Sequence, residues 1–223
     1  KIETWLHQLK TRKNRSGKKY CNAEQYEFVE LVARRVIQEM RAEGDGREIY
    51  GEPLRWMLHG GPGTGKTHAV KIVKDELFQK VLGWNMGVQF QIVALQAVMA
   101  ELLGGDTIHH ACGIPAFKRT DEAHEEAQHH MEIAKKVLQW RWLFIDEISM
   151  VSAKLLASID VKLRQVIREV GTAKLDTTGV ERPFGGLNVV VSGDLWQLDP
   201  PDGGFLGDRP TEFIQNEIGR AHV

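Results

Sequence analysis

A glycine-rich segment between two apolar stretches places the strongest constraint on the fold of this 223-residue chain. Residues 60–67 read GGPGTGKT, which satisfies the pattern G-x-x-x-x-G-K-[ST]. Residues 54–59 before it predict a short buried strand, and residues 67–82 after it have apolar side chains at helical spacing. Glycines let backbone N–H groups close around phosphate oxygens, and the following helix adds its positive dipole end. The segment therefore predicts a phosphate-binding loop.

The same loop predicts roles for its side chains. Lys66 is expected to contact the β- and γ-phosphates of a nucleotide, because it is the side-chain cation of the loop. The Thr67 hydroxyl is expected to ligate Mg²⁺. Every residue of the loop is predicted to bind the nucleotide: Gly60, Gly61, Pro62, Gly63, Thr64, Gly65, Lys66 and Thr67.

Strand-like and helix-like segments alternate along the rest of the chain. The patterns predict strands at 88–95, 142–145 and 187–191, and helices at 96–103, 121–138 and 152–170. Such alternation is typical of a mostly parallel sheet with helices on both faces. The predicted fold class is therefore α/β, of the P-loop NTPase type.

An acid pair closes the predicted strand at 142–145. Asp146 is expected to hold Mg²⁺, directly or through water, and Glu147 to polarise the water that attacks the γ-phosphate. Adjacent acids at a strand end are often only solvated loop residues, but a phosphate-binding loop in the same chain favours the catalytic interpretation. The pair also favours hydrolysis over phosphate transfer to another nucleotide.

Two glutamines are further candidates. Gln197 follows the strand that ends in Gly193 and Asp194, where it is either a nucleotide sensor or a turn residue. Gln25 stands three residues after Asn22, which is the spacing of a capping box at the start of a helix.

Composition and spacing exclude several classes of protein. The net charge of −1 argues against a uniformly basic nucleic-acid coat, and the two cysteines form no disulfide framework. No apolar run reaches the ~18 residues of a membrane span, so no membrane partner is expected. His124, His129 and His130 lack the spacing H-E-x-x-H, so no metal other than Mg²⁺ is predicted.

The basic stretch 10–19 allows two interpretations, and three tryptophans are assigned to the core or to the surface. The basic stretch 10–19, KTRKNRSGKK, is either a mobile, solvated linker or a flexible arm that touches phosphates. Trp140 and Trp142 flank an apolar strand and are expected in the core, whereas Trp196 is expected to be exposed and to offer a surface for a base.

Four segments together resemble the Pif1-like superfamily 1 DNA helicases in order and spacing. The match covers about residues 21–201 and indicates the first RecA-like motor domain of that family, which includes the helicases of Helitron transposons. The segments are GGPGTGKT at 60–67, GGDTIHHACGIP at 104–115, DEISM at 146–150 and FGGLNVVVSGDLWQL at 184–198.

The resemblance implies roles for matched residues. ATP is the implied substrate, with Mg²⁺ as its cofactor. Gln25 is the implied adenine contact, and Gln197 is the implied link between the γ-phosphate and DNA. Thr107 and His109 belong to the family's T-I-H segment near the path of single-stranded DNA, although His109 and His110 also fit a pair of polar turn residues.

The resemblance also implies a division of the chain and its partners. Residues 1–20 are expected to form a basic, flexible segment, 21–201 the ATPase domain, and 202–223 the start of a connection to a second RecA-like domain that supplies an arginine finger. The implied partners are single-stranded DNA and duplex junctions. The implied roles are DNA repair, recombination and telomere maintenance, in the nucleus or mitochondrion if the source is eukaryotic.

Two positions depart from the family pattern. The family's T-G-x-A-A is replaced by LQAVMA at 95–100, which lacks the hydroxyl that meets a DNA phosphate. Asp199 stands where the first proline of the family's Q-L-P-P is expected.

Two other classes of protein remain as alternatives: another P-loop ATPase, such as an AAA+-like remodeller, and a nucleotide-binding module that no longer hydrolyses its nucleotide.

Overall fold

The computed structural model describes residues 1–45, 51–114, 132–171, 173–201, 204 and 206. The chain forms two compact units, one of residues 1–52 with 62–85 and the other of 53–61 with 86–223. Most of the predicted helix at 121–138 lies outside the described residues. Its end, 132–137, is helical.

A five-stranded parallel sheet is the centre of the second unit. Its strands run in the order β1-β5-β4-β2-β3, and every neighbouring pair is parallel. The strands are β1 (Arg55–His59), β2 (Phe90–Ala94), β3 (Asp106–Thr107), β4 (Trp142–Asp146) and β5 (Asn188–Gly193). The prediction of an α/β fold with a mostly parallel sheet is confirmed.

Helices of the same unit connect these strands. They include α4 (Ala97–Leu102), α5 (Ile108–Cys112) and α6 (Ala153–Val170), with short 3₁₀ turns at Ile148–Met150 and Pro183–Gly186. Ser152 caps α6 by accepting a hydrogen bond of 3.2 Å from the Leu155 N–H. The apolar side of α6 belongs to the buried core of this unit, together with strand residues such as Val93, Leu143 and Ile145.

The register of the sheet brings the chemically interesting strand ends to one edge. His59 at the end of β1 pairs with Gly193 at the end of β5, and Ile145 of β4 pairs with Val191 of β5. Because all the strands are parallel, their carboxyl ends share this edge, which is where ligands bind in open α/β sheets.

The strand before the glycine-rich loop differs from its prediction. Residues 54–59 were expected to form a buried strand, but Trp56 and Met57 of β1 are 44% and 37% exposed. These side chains are exposed because β1 lies at the end of the strand order and pairs only with β5 among the described strands.

Trp140 and Trp142 were expected in the core. This expectation is confirmed, since both side chains are buried.

The first unit is helical. It contains α1 (Ile2–Thr11), α2 (Ala23–Gly44) and α3 (Lys66–Lys71), and α3 continues as a π-helix through Ile72–Val81. The predicted helix at 67–82 is confirmed, but its π-helical part was not predicted. The helix α1 was not predicted either, and it buries Ile2, Trp5, Leu6 and Leu9. Residues 2–11 of the segment 1–20, which was expected to be basic and flexible, thus form a helix in this structure.

Candidate nucleotide-binding site

Two glycines shape the part of the phosphate-binding loop that belongs to the first unit. Gly63 and Gly65 have φ angles of 75° and 89°, in the left-handed region that side chains with a Cβ rarely adopt. Gly65 is the N-terminal flanking residue of α3, so the helix begins directly at Lys66. The N–H groups in the first turn of a helix point out of its N-terminal end, which is where this loop lies and where anions bind. Lys66 and Thr67 thus occupy the first turn of the helix, as predicted.

Gln25 uses both ends of its side-chain amide. Its Oε1 accepts a hydrogen bond of 2.9 Å from the Asn22 N–H, while its own N–H donates to Asn22 Oδ1 at 2.8 Å. The predicted capping box is therefore confirmed. The Nε2 group donates to the carbonyl oxygens of Thr64 and Gly65, both at 3.3 Å.

The backbone conformation explains why glycine is favoured at position 65. Its φ angle of 89° lies in the region that residues with a Cβ rarely adopt, and a Cβ there would also lie 2.2 Å from Gln25 Nε2, so the amide end of that side chain would have to move. Gln25 thus fixes the last turn of the phosphate loop in this structure. Its contact with adenine, which no bound nucleotide tests, stays a prediction.

The acid pair lies at the carboxyl end of β4 in the second unit. Asp146 Oδ1 accepts a hydrogen bond of 2.5 Å from the Ser192 hydroxyl of β5. This bond fixes one oxygen of the carboxylate and leaves the carboxylate its other lone pairs for a cation. Ser192 was missed by sequence reasoning because a single serine in an apolar strand carries no recognisable pattern.

Glu147 adopts a left-handed backbone conformation with φ 53° and ψ 51°. Such a conformation costs a residue with a Cβ on the order of 1–3 kcal/mol and persists only where the surroundings enforce it. It turns the chain sharply out of β4 into the 3₁₀ turn at Ile148–Met150. Gly193 makes room for this turn, since a Cβ there would approach the Ile148 nitrogen to 2.9 Å.

The loop after β5 is organised by Asp194, which sequence reasoning did not single out. Its side chain is buried, and its Oδ1 accepts a hydrogen bond of 3.0 Å from the Trp196 N–H. His59 Nε2 lies 3.8 Å from the same oxygen. Gln197 donates its backbone N–H to the Asp194 carbonyl oxygen at 3.2 Å, and its side chain is exposed. Trp196 is 87% exposed, so its predicted exposure is confirmed.

The T-I-H segment spans the junction of β3 and α5. The Thr107 hydroxyl caps α5 by accepting a hydrogen bond of 3.3 Å from the His110 N–H. His109 is half-buried, whereas His110 is exposed and pairs with the Asp106 carboxylate. The structure thus gives Thr107 and His110 local structural contacts, and the DNA contacts of Thr107 and His109 stay predictions.

The side chains predicted to hold Mg²⁺ have suitable chemistry. Thr67 and Asp146 offer a hydroxyl and a carboxylate, which are hard oxygen ligands of the kind that Mg²⁺ prefers. Within the described ranges, no group of three or more His, Cys, Asp or Glu side chains is arranged to hold a metal ion by itself. Each of these two side chains by itself suits a metal that takes its other ligands from phosphate and water.

The histidines and the cysteine considered as other candidate sites gain no support from the described residues. His124, His129 and His130 lie outside the described residues. Burial, with a smaller effect of the Asp106 carboxylate, raises the pKa of the Cys112 thiol to about 12, so the thiol stays protonated at neutral pH. Among the helices of the described residues, none is long and apolar enough to cross a membrane.

A family model decides the classification. The model described as PIF1-like helicase matches residues 22–204, which is most of the chain. The chain belongs to the PIF1-like helicase family. The predicted resemblance is therefore confirmed, and the match includes the phosphate-binding loop, the acid pair and the loop that contains Gln197.

Individual PIF1-like relatives agree with this classification. The ATP-dependent DNA helicase RRM3 of Saccharomyces cerevisiae is 31% identical over 145 residues, which cover 63% of this chain and 18% of the yeast protein. The ATP-dependent DNA helicase Pif1 of Bdellovibrio bacteriovorus is 31% identical over 144 residues, covering 64% of this chain and 28% of that protein. This chain thus spans less than a third of the length of either relative.

Solved PIF1 structures share the fold. The crystal structure of Bacteroides sp Pif1 in complex with ADP-AlF4 has 25% sequence identity and a TM-score of 0.55, and it covers 88% of this chain and 36% of that chain. Pif1 helicase from Candida albicans has 22% identity and a TM-score of 0.55 over 83% of this chain and 35% of that chain. The RecA-like fold predicted for the PIF1-like domain is confirmed by these likenesses.

Proposed function

We propose that this chain is the first motor domain of an ATP-dependent DNA helicase, in which Mg²⁺-dependent hydrolysis of ATP drives movement along single-stranded DNA. The observation that carries the proposal is that a PIF1-like chain keeps both halves of the hydrolytic apparatus. It has a phosphate loop with Gly63 and Gly65 in left-handed conformations, and an acid pair at the end of β4. The relatives named ATP-dependent DNA helicases support the reaction class.

The phosphate loop supplies binding. Backbone N–H groups of residues 60–67 surround the phosphates, and the Lys66 ammonium neutralises charge on the β- and γ-phosphates. Gln25 reads the adenine. Since Gln25 Nε2 bonds the Thr64 and Gly65 carbonyl oxygens, the same side chain links the base site to the loop that holds the phosphates.

The acid pair supplies the hydrolytic step. Bound Mg²⁺, held by Thr67 and Asp146, would neutralise charge that develops on the phosphate oxygens. Glu147 accepts a proton from the attacking water, and its fixed backbone conformation holds the carboxylate at the start of the turn after β4. Gln197, on the exposed loop after β5, contacts the γ-phosphate and links it to DNA.

DNA contacts are proposed at three places of the second unit. Thr107 and His109 line the path of the strand, and the exposed Trp196 ring stacks on a base. Bacteroides Pif1 has been crystallised with ADP-AlF3 and ssDNA, at 24% identity to this chain. A pair of Pif1 helicases has been described at forked dsDNA, at 23% identity.

A second RecA-like domain is proposed to complete the site with an arginine finger, which is worth on the order of 10³- to 10⁵-fold in turnover in P-loop enzymes. The 223 residues alone should then bind ATP weakly and fail to unwind duplex DNA. The proposed cellular roles are repair, recombination and telomere maintenance, in the nucleus or mitochondrion of a eukaryote.

The proposal is tested on the full-length protein by measuring ATP turnover with and without single-stranded DNA, beside strand displacement from a forked duplex. A helicase hydrolyses ATP faster with DNA and displaces the strand. An ATP turnover rate that is the same with and without DNA indicates another P-loop ATPase. Nucleotide binding without turnover indicates an inactive module.

A further inference from the structure

The basic stretch after α1 is an ordered hairpin. Residues 12–20, here called the basic hairpin, form an antiparallel bridge between Lys13 and Lys19. The Tyr20 N–H donates to the Arg12 carbonyl oxygen at 3.0 Å, and the Asn14 N–H donates to the Lys18 carbonyl oxygen at 2.7 Å. Backbone hydrogen bonds therefore close the hairpin at its base and near its tip, unlike either a mobile linker or a flexible arm.

One side chain organises the tip. Asn14 Oδ1 accepts hydrogen bonds from the Ser16 N–H at 3.0 Å, the Ser16 hydroxyl at 2.7 Å and the Lys18 N–H at 3.0 Å. Gly17 takes a φ angle of 77° in the same turn. A single asparagine thus fixes the tip, as asparagine side chains do in many tight turns.

The base of the hairpin is held by a carboxylate of the first unit. Glu76, on the π-helix after the phosphate loop, accepts hydrogen bonds from Arg12 Nη1 at 2.6 Å, the Tyr20 hydroxyl at 3.0 Å and Trp5 Nε1 at 3.3 Å. The Tyr20 carbonyl oxygen also lies 2.9 Å from Nε2 of His68, the residue directly after Thr67. The hairpin is therefore fixed to the helix that begins at the phosphate loop.

The hairpin concentrates positive charge on a nearly neutral chain. Lys13, Arg15, Lys18 and Lys19 are all exposed, and none forms an ion pair with a carboxylate of the described residues. The sequence has no acidic residue from 4 to 23, although the whole chain has a net charge of −1. The local positive charge is thus unbalanced. Repulsion among these cations does not stabilise the folded state.

We propose that the basic hairpin binds the phosphate backbone of single-stranded DNA and presents Lys13, Arg15, Lys18 and Lys19 to it as a fixed set. The inference rests on the proposed function, because the single strand is the track of the proposed motor. Charge complementarity supports it: phosphate contacts by Lys and Arg position a protein on nucleic acid without reading its sequence. A preformed hairpin also loses less conformational entropy on binding than a flexible arm does.

The test compares three variants of the full-length protein for binding to a fluorescent single-stranded oligonucleotide, at several salt concentrations. The first variant replaces Lys13, Arg15, Lys18 and Lys19 by Gln. Its control replaces one arginine and three lysines exposed elsewhere: Arg34, Lys80, Lys135 and Lys154. The third variant, Asn14→Ala, loosens the tip without changing the charge.

Each phosphate contact to a single strand contributes about 0.7 to the slope of log affinity against log salt. The first variant should therefore lose roughly 3 units of slope and bind at least about tenfold more weakly at low salt, whereas the control keeps the wild-type slope. Asn14→Ala should bind several-fold more weakly. DNA-independent ATP hydrolysis should stay unchanged in all three variants.

Failure of this inference differs from failure of the proposed function. If the wild-type protein binds DNA and the first variant keeps its affinity and slope, the hairpin is not a contact. If Asn14→Ala binds the oligonucleotide as tightly as the wild type, the hairpin does not need a fixed tip to present its four cations. If wild-type ATP turnover ignores DNA, the proposed function itself fails. Tighter binding to single-stranded RNA of the same length would assign the hairpin to a different partner.

Discussion

The Ser192 hydroxyl donates a hydrogen bond of 2.5 Å to Asp146 Oδ1, which joins the ends of two neighbouring strands. This bond orients the carboxylate proposed to hold Mg²⁺. Groups that orient a metal ligand typically contribute on the order of 10- to 100-fold in metal affinity or activity.

Ser192→Ala should therefore raise the Mg²⁺ concentration that half-saturates ATP hydrolysis, by roughly tenfold or more. The measurement is ATP turnover against Mg²⁺ concentration in the full-length protein. Ser158→Ala is the matched control, because that hydroxyl bonds only the Lys154 carbonyl oxygen within α6 among the described contacts. Unchanged Mg²⁺ dependence in Ser192→Ala would contradict the orienting role.

Lys66→Ala should abolish productive ATP binding, because the phosphates lose the cation of the loop. Titration with Mg-ATP, followed by calorimetry, measures the effect. Lys71→Ala removes an exposed lysine from the same helix and should bind like the wild type. Wild-type affinity in Lys66→Ala would refute the assignment of the phosphate loop.

Glu76 should stabilise the first unit in a pH-dependent manner. Burial alone would raise its pKa, but hydrogen bonds from Arg12, Tyr20 and Trp5 outweigh this and lower the pKa below the ordinary 4.5. A lowered folded-state pKa adds stability above the unfolded value of 4.5, and this stability is lost as the pH falls through the folded pKa.

Glu76→Gln should accordingly lower the free energy of unfolding at pH 7 by about 1.5–3 kcal/mol, the usual contribution of hydrogen bonds to a charged group. The difference from the wild type should shrink below pH 4.5. Denaturant unfolding at a series of pH values measures it, with the exposed Glu101→Gln as control. A difference that stays constant down to low pH would show that the carboxylate charge is not involved.

Trp196→Ala should weaken binding of single-stranded DNA, since stacking of a base on an aromatic ring is worth roughly 1–3 kcal/mol. Oligonucleotide binding by the full-length protein should weaken about 5- to 150-fold, with little change in its salt dependence. Trp56→Ala is the control, because this tryptophan is also exposed but lies on β1. Equal losses in both variants would argue against a specific stacking site at Trp196.

The phosphate loop and the acid pair could be predicted because their chemistry restricts residue types at fixed spacing. The Gln25 capping box was predictable for the same reason. Burial of β1 was predicted wrongly, because an apolar run does not reveal whether its strand lies at the end of a sheet. The bond from Ser192 to Asp146 depends on strand register, which a single sequence does not specify.

The N-terminal region contained signals that composition concealed. Ile2, Trp5, Leu6 and Leu9 have the spacing of a helix, and Asn14 to Gly17 contains residues typical of a turn. Its basic composition favoured a linker, but the hairpin is ordered by Glu76, which lies far away in the sequence. Long-range contacts of this kind leave no local pattern, and neither does the π-helical part of the helix after the loop.

Glu147 is proposed to activate water for an ATP hydrolysis that DNA stimulates. Turnover of full-length Glu147→Gln with saturating Mg-ATP and single-stranded DNA, beside a titration of its ATP affinity, tests this role. ATP affinity should be like that of the wild type, whereas turnover should fall by roughly 10²- to 10⁴-fold, the usual contribution of a positioned base. Full DNA-stimulated turnover in this variant would show that another group activates the water.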